Sequence, residues 1–434
     1  MGFKRLLYWF EQAFTVFALI LYSGGPLQVI LSGGVSEGDV VTAETDYALI
    51  RMLCLLTYVV FTGLLALRWR LSLWGLVKGW PVFALVGLAA LSIFWSDFPG
   101  FTQQRSIALI GTSLFGLYFG TRFSMKQQLQ LLGWAMAIAV LMSIAFVAAL
   151  PKYGIMGGKH AGAWRGIFSH KNVTGRAMAF SSVVFLLLSL QTGGARLFWW
   201  LLLVTTIAFT VMAQSTTALL CLVVLFLLFF ILRPLRWHYR ARTIAVLSLV
   251  LAVAGGLASV LANSETLLAA FGKDTTLTGR TDLWPAVIEK IQLKPIWGFG
   301  YEGFWRGWDS DAAEVWRTVG WDAPHSHNGF LDLLLALGLV GFIIFMTEYF
   351  TTLARAAYRL KQTRNPEYYL PILFLAFTVL FSLTESTILG RNSIFWVMYV
   401  AMSVSARLPL QQPKSNAQPS TPNYSLPSSA QTTA

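Results

Sequence analysis

Residues 321–342 read WDAPHSHNGFLDLLLALGLVGF, two histidines and an asparagine set against an apolar run that continues to about residue 349. A run of roughly 20 apolar residues is long enough to cross a bilayer as a helix. In hydrocarbon a lone segment satisfies its own backbone groups only in that form. Similar runs recur along the chain, which therefore reads as an all-α integral membrane protein of about twelve transmembrane helices. They fall near 10–31, 47–67, 76–96, 104–121, 129–150, 172–191, 197–213, 215–232, 243–263, 328–349, 368–388 and 392–408. Only Gln214, Ser215 and a few threonines part the two halves of 197–232. The composition agrees: 56% of the 434 residues are hydrophobic and 12% charged, with a mean hydropathy of +0.63. An average soluble domain carries about twice that share of charge. Cys54 and Cys221 both lie within spans and imply no disulfide framework.

The net charge of +13 suggests nucleic acid at first sight, but the basic residues sit in short loops between spans. Lys4, Arg5, Arg68, Arg70, Lys78, Arg122, Lys126, Arg196, Arg233, Arg236, Arg240, Arg242, Arg355, Arg359, Lys361, Arg364, Arg407 and Lys414 all land on one side. The positive-inside rule makes that side cytoplasmic, so the partner is the lipid bilayer and not nucleic acid. Both termini are then inside, and the acidic loop with Glu37, Asp39, Glu44 and Asp46 is outside. Lys4 and Arg5 precede an apolar segment without a small-x-small cleavage site, which reads as an uncleaved first span. The membrane domain is expected over 1–408, and the Pro/Ser/Gln/Thr-rich tail 409–434 has the composition of a disordered segment.

Two outer segments break the simple pattern. PKYGIMGGKHAGAWRGIFSHKNVTGR (151–176) carries Lys152, Lys159, Arg165, Lys171 and Arg176 with no acidic residue. Five basic residues on the translocated side point to an anionic partner, against the plainer reading of solvated lysines. The second segment is a long loop, about 264–327. Within it, apolar positions 284, 287, 288 and 291 share one helical face, with Thr281 or Asp282 as cap and Pro285 in the first turn. The KPIWGFGYEGFW segment that follows is rich in glycine and aromatics, suited to an interface or to stacking on sugars.

Ionisable residues inside spans are costly and default to a functional reading. Arg51, Arg105, Arg176, Asp332, Glu385 and Arg391 fall in the outer third of their spans or just beyond, as if lining one outward-facing cavity. Structural ion pairs are the alternative, yet four arginines exceed two acids, and arginine's planar fork suits phosphate. Glu348 falls at the cytoplasmic end, where it is expected to snorkel. His325 and His327 lie level with that cavity. Three readings stand for them: a metal clip, a helix cap, or the centre of the chemistry. Asn328 suits the N-cap of the following helix, whose positive end favours a nearby anion and a neutral imidazole. A neutral imidazole is what a general base needs. Asp332, one turn on, is placed to orient a histidine or to pair with an arginine. Only His160 and His170 join the pair as outer histidines, too few ligands for a convincing metal site.

HSHNGFLDLLLALGLVGF resembles the His-Asn-x-x-Leu…Gly-Leu-x-Gly signature of the O-antigen ligase and polysaccharide polymerase superfamily. GRTDLWPAVIEKIQLKPIWGFGYEGF resembles its Arg-x-x-x-Trp…Pro…Gly-x-Gly segment, and WRGIFSHKNVTG is similar to the ExoQ-like exopolysaccharide-polymerase branch. The resemblance covers roughly residues 90–405. It implies a metal-independent, cofactor-free glycosyltransferase on the periplasmic face of a bacterial inner membrane. The donor would be an undecaprenyl-diphosphate-linked oligosaccharide, and the acceptor another glycan in a polymerase or a glycolipid in a ligase. Carried over, His327 becomes the catalytic residue, and Arg280, counted with it, and Arg165 match positions expected to contact pyrophosphate; His325, Asn328, Asp332 and Glu385 are the supporting residues by their own placement. Relatives often open one span with Ser-Arg or Ser-Lys where this chain has Gln214-Ser215-Thr216-Thr217. One diphosphate contact is then either missing or supplied elsewhere, by Arg176 or Arg391, with Lys171 a further diphosphate-binding candidate. A transporter of the same lipid-linked glycan is the rival class; it would want charge at midplane depth or on both faces.

Overall fold

The computed structural model describes residues 2–34, 47–191, 193–233, 280–363 and 365–409. The expected span 243–263, the acidic loop of Glu37 to Asp46, the start of the long loop and the tail from 410 lie outside the described residues. Among the described residues the regular elements are helices, apart from one isolated bridge between Ile155 and Trp164. In chain order they are α1 (Phe3–Tyr22), α2 (Leu27–Leu31), α3 (Ala48–Leu67), α4 (Trp69–Lys78), α5 (Trp80–Leu91), α6 (Pro99–Arg122), α7 (Met125–Ala149) and α8 (Pro151–Gly154). Then come α9 (Lys171–Ser189), α10 (Arg196–Met212), α11 (Thr216–Leu232), α12 (Arg280–Leu293), α13 (Ala312–Val319), α14 (Gly329–Gln362), α15 (Leu370–Ser382) and α16 (Ile394–Arg407). Of these α3, α7, α9 and α14 are long and apolar enough to cross a membrane alone.

The burial pattern explains the layering. Helix α16 is buried along its length from Ile394 to Ala406 and packs against α6, α14 and α15. Helix α9 is buried almost as fully, among α7, α10, α11 and α15. By contrast α3 exposes Leu49, Met52, Leu55, Leu56 and Val59. So continuous an apolar face belongs against lipid, not water. Cys54 and Cys221 are buried, free thiols on α3 and α11.

Four spans differ from their expected course, each for a local reason. The first helix ends at Tyr22 instead of near 31, because Gly24, Gly25 and Pro26 interrupt it. The third is broken: α4 and the segment Trp80–Phe94 meet at 87°, where Gly79 precedes the helix-starting Pro81. The tenth runs on to Gln362 and contains a non-helical Gly338. The eleventh stops at Ser382, leaving 383–393 as a loop. The stretch 197–232 resolves into two helices around Gln214, which takes a φ of 51°.

Glu348 does not snorkel. It is fully buried, accepts from Thr352 Oγ1 at 2.6 Å and from Tyr399, and pairs with Arg407 Nη1 at 3.3 Å. Glu11 likewise takes both forks of Arg122 at 2.7 Å, with Arg68 at 3.4 Å. A buried carboxylate so far from water needs such partners, since each unpaired buried ion costs several kcal/mol, about 3–5 when one partner is removed.

Candidate active site

The break in α14 positions the site. Around Gly338 the helix frees its carbonyls, and the segment 295–300 docks into the gap. Phe299 N–H donates to Leu335 O at 2.7 Å and Gly300 N–H to Ala336 O at 3.0 Å. Leu339 and Val340 donate in return to Pro295 O and Ile296 O, at 2.8 and 3.3 Å. The Gly-x-Gly motif has a steric cause here: a β-carbon on Gly298 would stand 2.5 Å from Leu335 O. Helix α12 then packs on α13, burying Leu283, Ala286 and Val287 with Phe299, Phe304 and Leu335. The expected face of α12 is turned by about one residue, for Ile288 is 44% exposed while Lys290 is buried against Glu314. Arg280 and Thr281 are already helical, so neither Thr281 nor Asp282 caps the helix and Pro285 lies inside it.

The histidine loop is held by hydrogen bonds from distant elements. Asn328 caps α14, accepting from Phe330 N–H at 3.0 Å and Leu331 N–H at 3.3 Å. Buried Ser326 donates its hydroxyl to Asn328 O at 2.7 Å, and its carbonyl accepts from Trp284 Nε1 at 3.0 Å. Ser326 N–H donates to the two oxygens of Asp332 at 3.2 and 3.3 Å. Asp332 also accepts from Trp305 Nε1 at 2.9 Å and from the Ser386 hydroxyl. Its role is therefore to hold the backbone between the two histidines.

So fixed, His327 takes a φ of 53°, a left-handed conformation that histidine tolerates better than most residues. Its Nδ1 faces Glu385 Oε2 at 3.6 Å, and His325 Nε2 lies 4.0 Å from the same oxygen. The other Glu385 oxygen accepts from Asn172 Nδ2 at 3.3 Å. The 3.6 Å contact is looser than a full hydrogen bond, as catalytic contacts often are before substrate closes them. His327 N–H donates to His325 Nδ1 at 3.1 Å. That bond sets the neutral His325 tautomer, with its proton on Nε2. Burial, then the neighbouring His327, lower the His325 pKa, against the pull of Asp332 and Glu385. Burial alone would raise the Glu385 carboxyl. The His327 contact, then the interactions with His325, His327 and Arg176, outweigh it and hold Glu385 below the usual carboxylate range.

Glu385 also adds a third ligand to the two histidines counted in the sequence. His325, His327 and Glu385 each offer one ligand atom, all within 4.8 Å of one another, a set that fits a metal ion.

The basic residues divide. Arg165 is 1% exposed, and its guanidinium donates to the carbonyls of Tyr153 at 2.8 Å, Lys152 at 3.0 Å and Gly34. These bonds tie the 151–170 loop to itself and to Gly34. Arg176 lies with its Cζ 4.8 Å from the centre of the Phe395 ring, near enough to act on Glu385 and His325. Lys171 Nζ is 3.5 Å from Gln214 O. Arg391 pairs with Glu302 at 3.4 Å. The side chain of Arg280 lies outside the described residues. The six outer charges thus do not share one wall: Arg176, Asp332 and Glu385 join the histidines, Arg105 and Arg391 gather on Glu302, and Arg51 is exposed. Sequence reasoning missed Trp305, Ser326, Ser386 and Asn172, and the partner of Trp284, all of which are brought together only by folding.

His170 caps α9, accepting Asn172 N–H at 3.2 Å. Burial first, then His160 and Lys171, lower its pKa to about 4. A histidine depressed on folding stabilises above its unfolded value, near 6.5, and that stability is lost as pH falls towards 4. Thermal stability should therefore drop between pH 6.5 and 4. His170→Asn, which still caps, should flatten that drop; an unchanged slope would refute the assignment.

Residues 201–346 match the O-antigen ligase family. A stretch of 133 residues is 36% identical to the exopolysaccharide production protein ExoQ of Rhizobium meliloti, covering 28% of this chain and 30% of that protein. The chain thus aligns with less than a third of that relative's length. The family segment contains Trp284, both loop histidines, Asn328 and Asp332, while Glu385, Arg176 and Arg391 lie beyond it.

Proposed function

We propose that this chain, whose residues 201–346 match the O-antigen ligase family, transfers a glycan from an undecaprenyl-diphosphate carrier to an acceptor hydroxyl. In this reading twelve spans place both termini in the cytoplasm and the histidine loop in the periplasm. The membrane domain covers 1–408, the periplasmic loop about 264–327 and the cytoplasmic tail 409–434. The observation that carries the proposal is the His327–Glu385 pair, with Nδ1 turned to the carboxylate at 3.6 Å. With its Nδ1–H aimed at Glu385, the neutral imidazole offers Nε2 as the base.

In the reaction, His327 Nε2 takes the proton of the acceptor hydroxyl as that oxygen bonds to the anomeric carbon. The bond from that carbon to the carrier's phosphate oxygen breaks with inversion, and its electron pair leaves on the diphosphate. Glu385 steadies the imidazolium that forms. Arg280, Arg176 and Lys171 supply positive charge to the leaving diphosphate, the kind of electrostatic help that usually dominates catalysis. Arg391, in the 383–393 loop, meets Glu302 and not the histidines, so the diphosphate it contacts is not the leaving one. Arg165 serves by shaping the loop that begins α9. Repeat-unit polymerisation is favoured over ligation to a glycolipid by the ExoQ match.

Purified protein in liposomes, supplied with undecaprenyl-diphosphate oligosaccharide, tests this. Longer glycans on the carrier are expected; movement of the donor across the bilayer without transfer would make the chain a transporter. Transfer should persist in EDTA. Activity lost to the chelator and restored by zinc would turn His325, His327 and Glu385 into metal ligands.

A further inference from the structure

Glu302 is surrounded by three arginines from three separate elements. Arg105 Nε, from α6, is 3.9 Å from its Oε2, and Arg306 Nη2 is 3.8 Å from the same atom. Arg391 Nε is 3.4 Å from Oε1. Each distance exceeds the roughly 2.7–2.9 Å of a tight charge-assisted bond, so one carboxylate is shared loosely among three forks. Among the described residues this leaves two positive charges in excess. The Nε atoms of Arg306 and Arg391 are buried without a hydrogen-bond acceptor. Burial, opposed by Glu302 and reinforced by Arg391, lowers the Arg306 pKa, as expected where positive charge is under-compensated.

The cluster is built, not incidental. Arg105 and Arg306 both lie over Phe101, with Cζ 4.4 and 3.6 Å from its centroid. Glu302 is held at a φ of 54°, a conformation non-glycine residues rarely keep without support. Support comes from Tyr301, whose N–H donates to Ser92 Oγ at 2.8 Å and whose hydroxyl donates to Leu389 O at 2.7 Å. All four charged side chains remain 18–30% exposed, open to a ligand. The group has its own counter-ion: the three arginines meet Glu302, whereas the histidines face Glu385.

We propose that Arg105, Arg306 and Arg391 form a diphosphate-binding site distinct from the His327–Glu385 pair, with Glu302 as the resident counter-ion that a bound diphosphate displaces. A diphosphate brings more oxygens than one carboxylate and can satisfy several guanidinium forks at once. Resting on the glycosyltransfer reading above, the site takes the diphosphate of the second carrier-linked chain, which a polymerase must hold while the first reacts.

The test is calorimetric titration of the full chain in nanodiscs with inorganic pyrophosphate, with thermal unfolding followed in parallel. Glu302→Gln removes the competitor, so affinity should rise about tenfold, the worth of one charge-assisted contact. Arg306→Gln and Arg391→Gln should each weaken binding by about tenfold or more. His327→Asn should bind as the parent does. Competition by a soluble prenyl diphosphate identifies a lipid-linked ligand, and its failure identifies free diphosphate; either supports the site. Unchanged affinity in Glu302→Gln overturns it, even if the arginine variants fail to fold, as does parental affinity in both folded arginine variants. If no glycan is transferred yet Glu302→Gln still tightens pyrophosphate, the site stands and the glycosyltransfer reading falls.

Discussion

His327→Asn should lower kcat for glycan transfer by about 10²–10⁴-fold, the usual contribution of a general base, while the folded yield stays at the parental level. Asparagine is the better substitution because His327 sits at a φ of 53°. Asparagine adopts left-handed conformations readily, whereas alanine would add roughly 1–2 kcal/mol of backbone strain. His327→Ala could therefore lose activity for the wrong reason. The loss should fall on kcat and not on KM, because the proton moves only in the transition state. Glu385→Gln separates the roles further. It keeps an oxygen for the Nδ1–H but removes the charge that steadies the imidazolium, so kcat should fall with KM held. His325→Ala should be milder than either, since His325 touches the base through the His327 N–H. Parental transfer by His327→Asn would remove the imidazole from the mechanism.

The chemistry of this site was legible where it depends on local sequence. Asn328 beside an apolar run announces a helix cap, and the cap is there because its side chain alone can reach the first free N–H groups. The apolar runs announce membrane helices because hydropathy acts residue by residue. Directions and partners were not legible. Arg165 has the composition of a phosphate ligand, but nothing in a sequence says that its guanidinium meets two carbonyls of its own loop and one of distant Gly34. The face of α12 was misjudged by one position, because what it packs against, α13 and the 298–304 segment, comes from elsewhere in the chain. Glu385, near the outer end of one expected span, and Arg391, just before the next, are expected to line one cavity. The loop that replaces the end of that span sends the first to the histidines and the second to Glu302. Such assignments need contacts across tens to hundreds of residues.

Gly338→Ala should be the most damaging single change outside the chemistry, lowering stability by about 4 kcal/mol or more by the sum of two effects. Gly338 sits at φ 59° and ψ −161°, a region that only glycine occupies without strain of about 1–3 kcal/mol. A β-carbon there would also stand 2.2 Å from Ile296 O and 2.6 Å from Trp297 N, both backbone atoms that cannot swing aside. The docked segment must then lift from α14, forfeiting hydrogen bonds made by Phe299, Gly300, Leu339 and Val340, each worth about 0.5–1.5 kcal/mol. Function should be lost along with stability, since that segment leads to Glu302, Trp305 and Arg306, and Trp305 braces Asp332 beneath the histidine loop. Gly87→Ala is the control: it lies within α5 with open space around its β-position, so it should be neutral or slightly stabilising. Thermal unfolding followed by tryptophan fluorescence, together with protease sensitivity of 294–306, reads both variants. A Gly338→Ala protein that melts with the parent and resists cleavage there would mean that the break in α14 does not hold the site together.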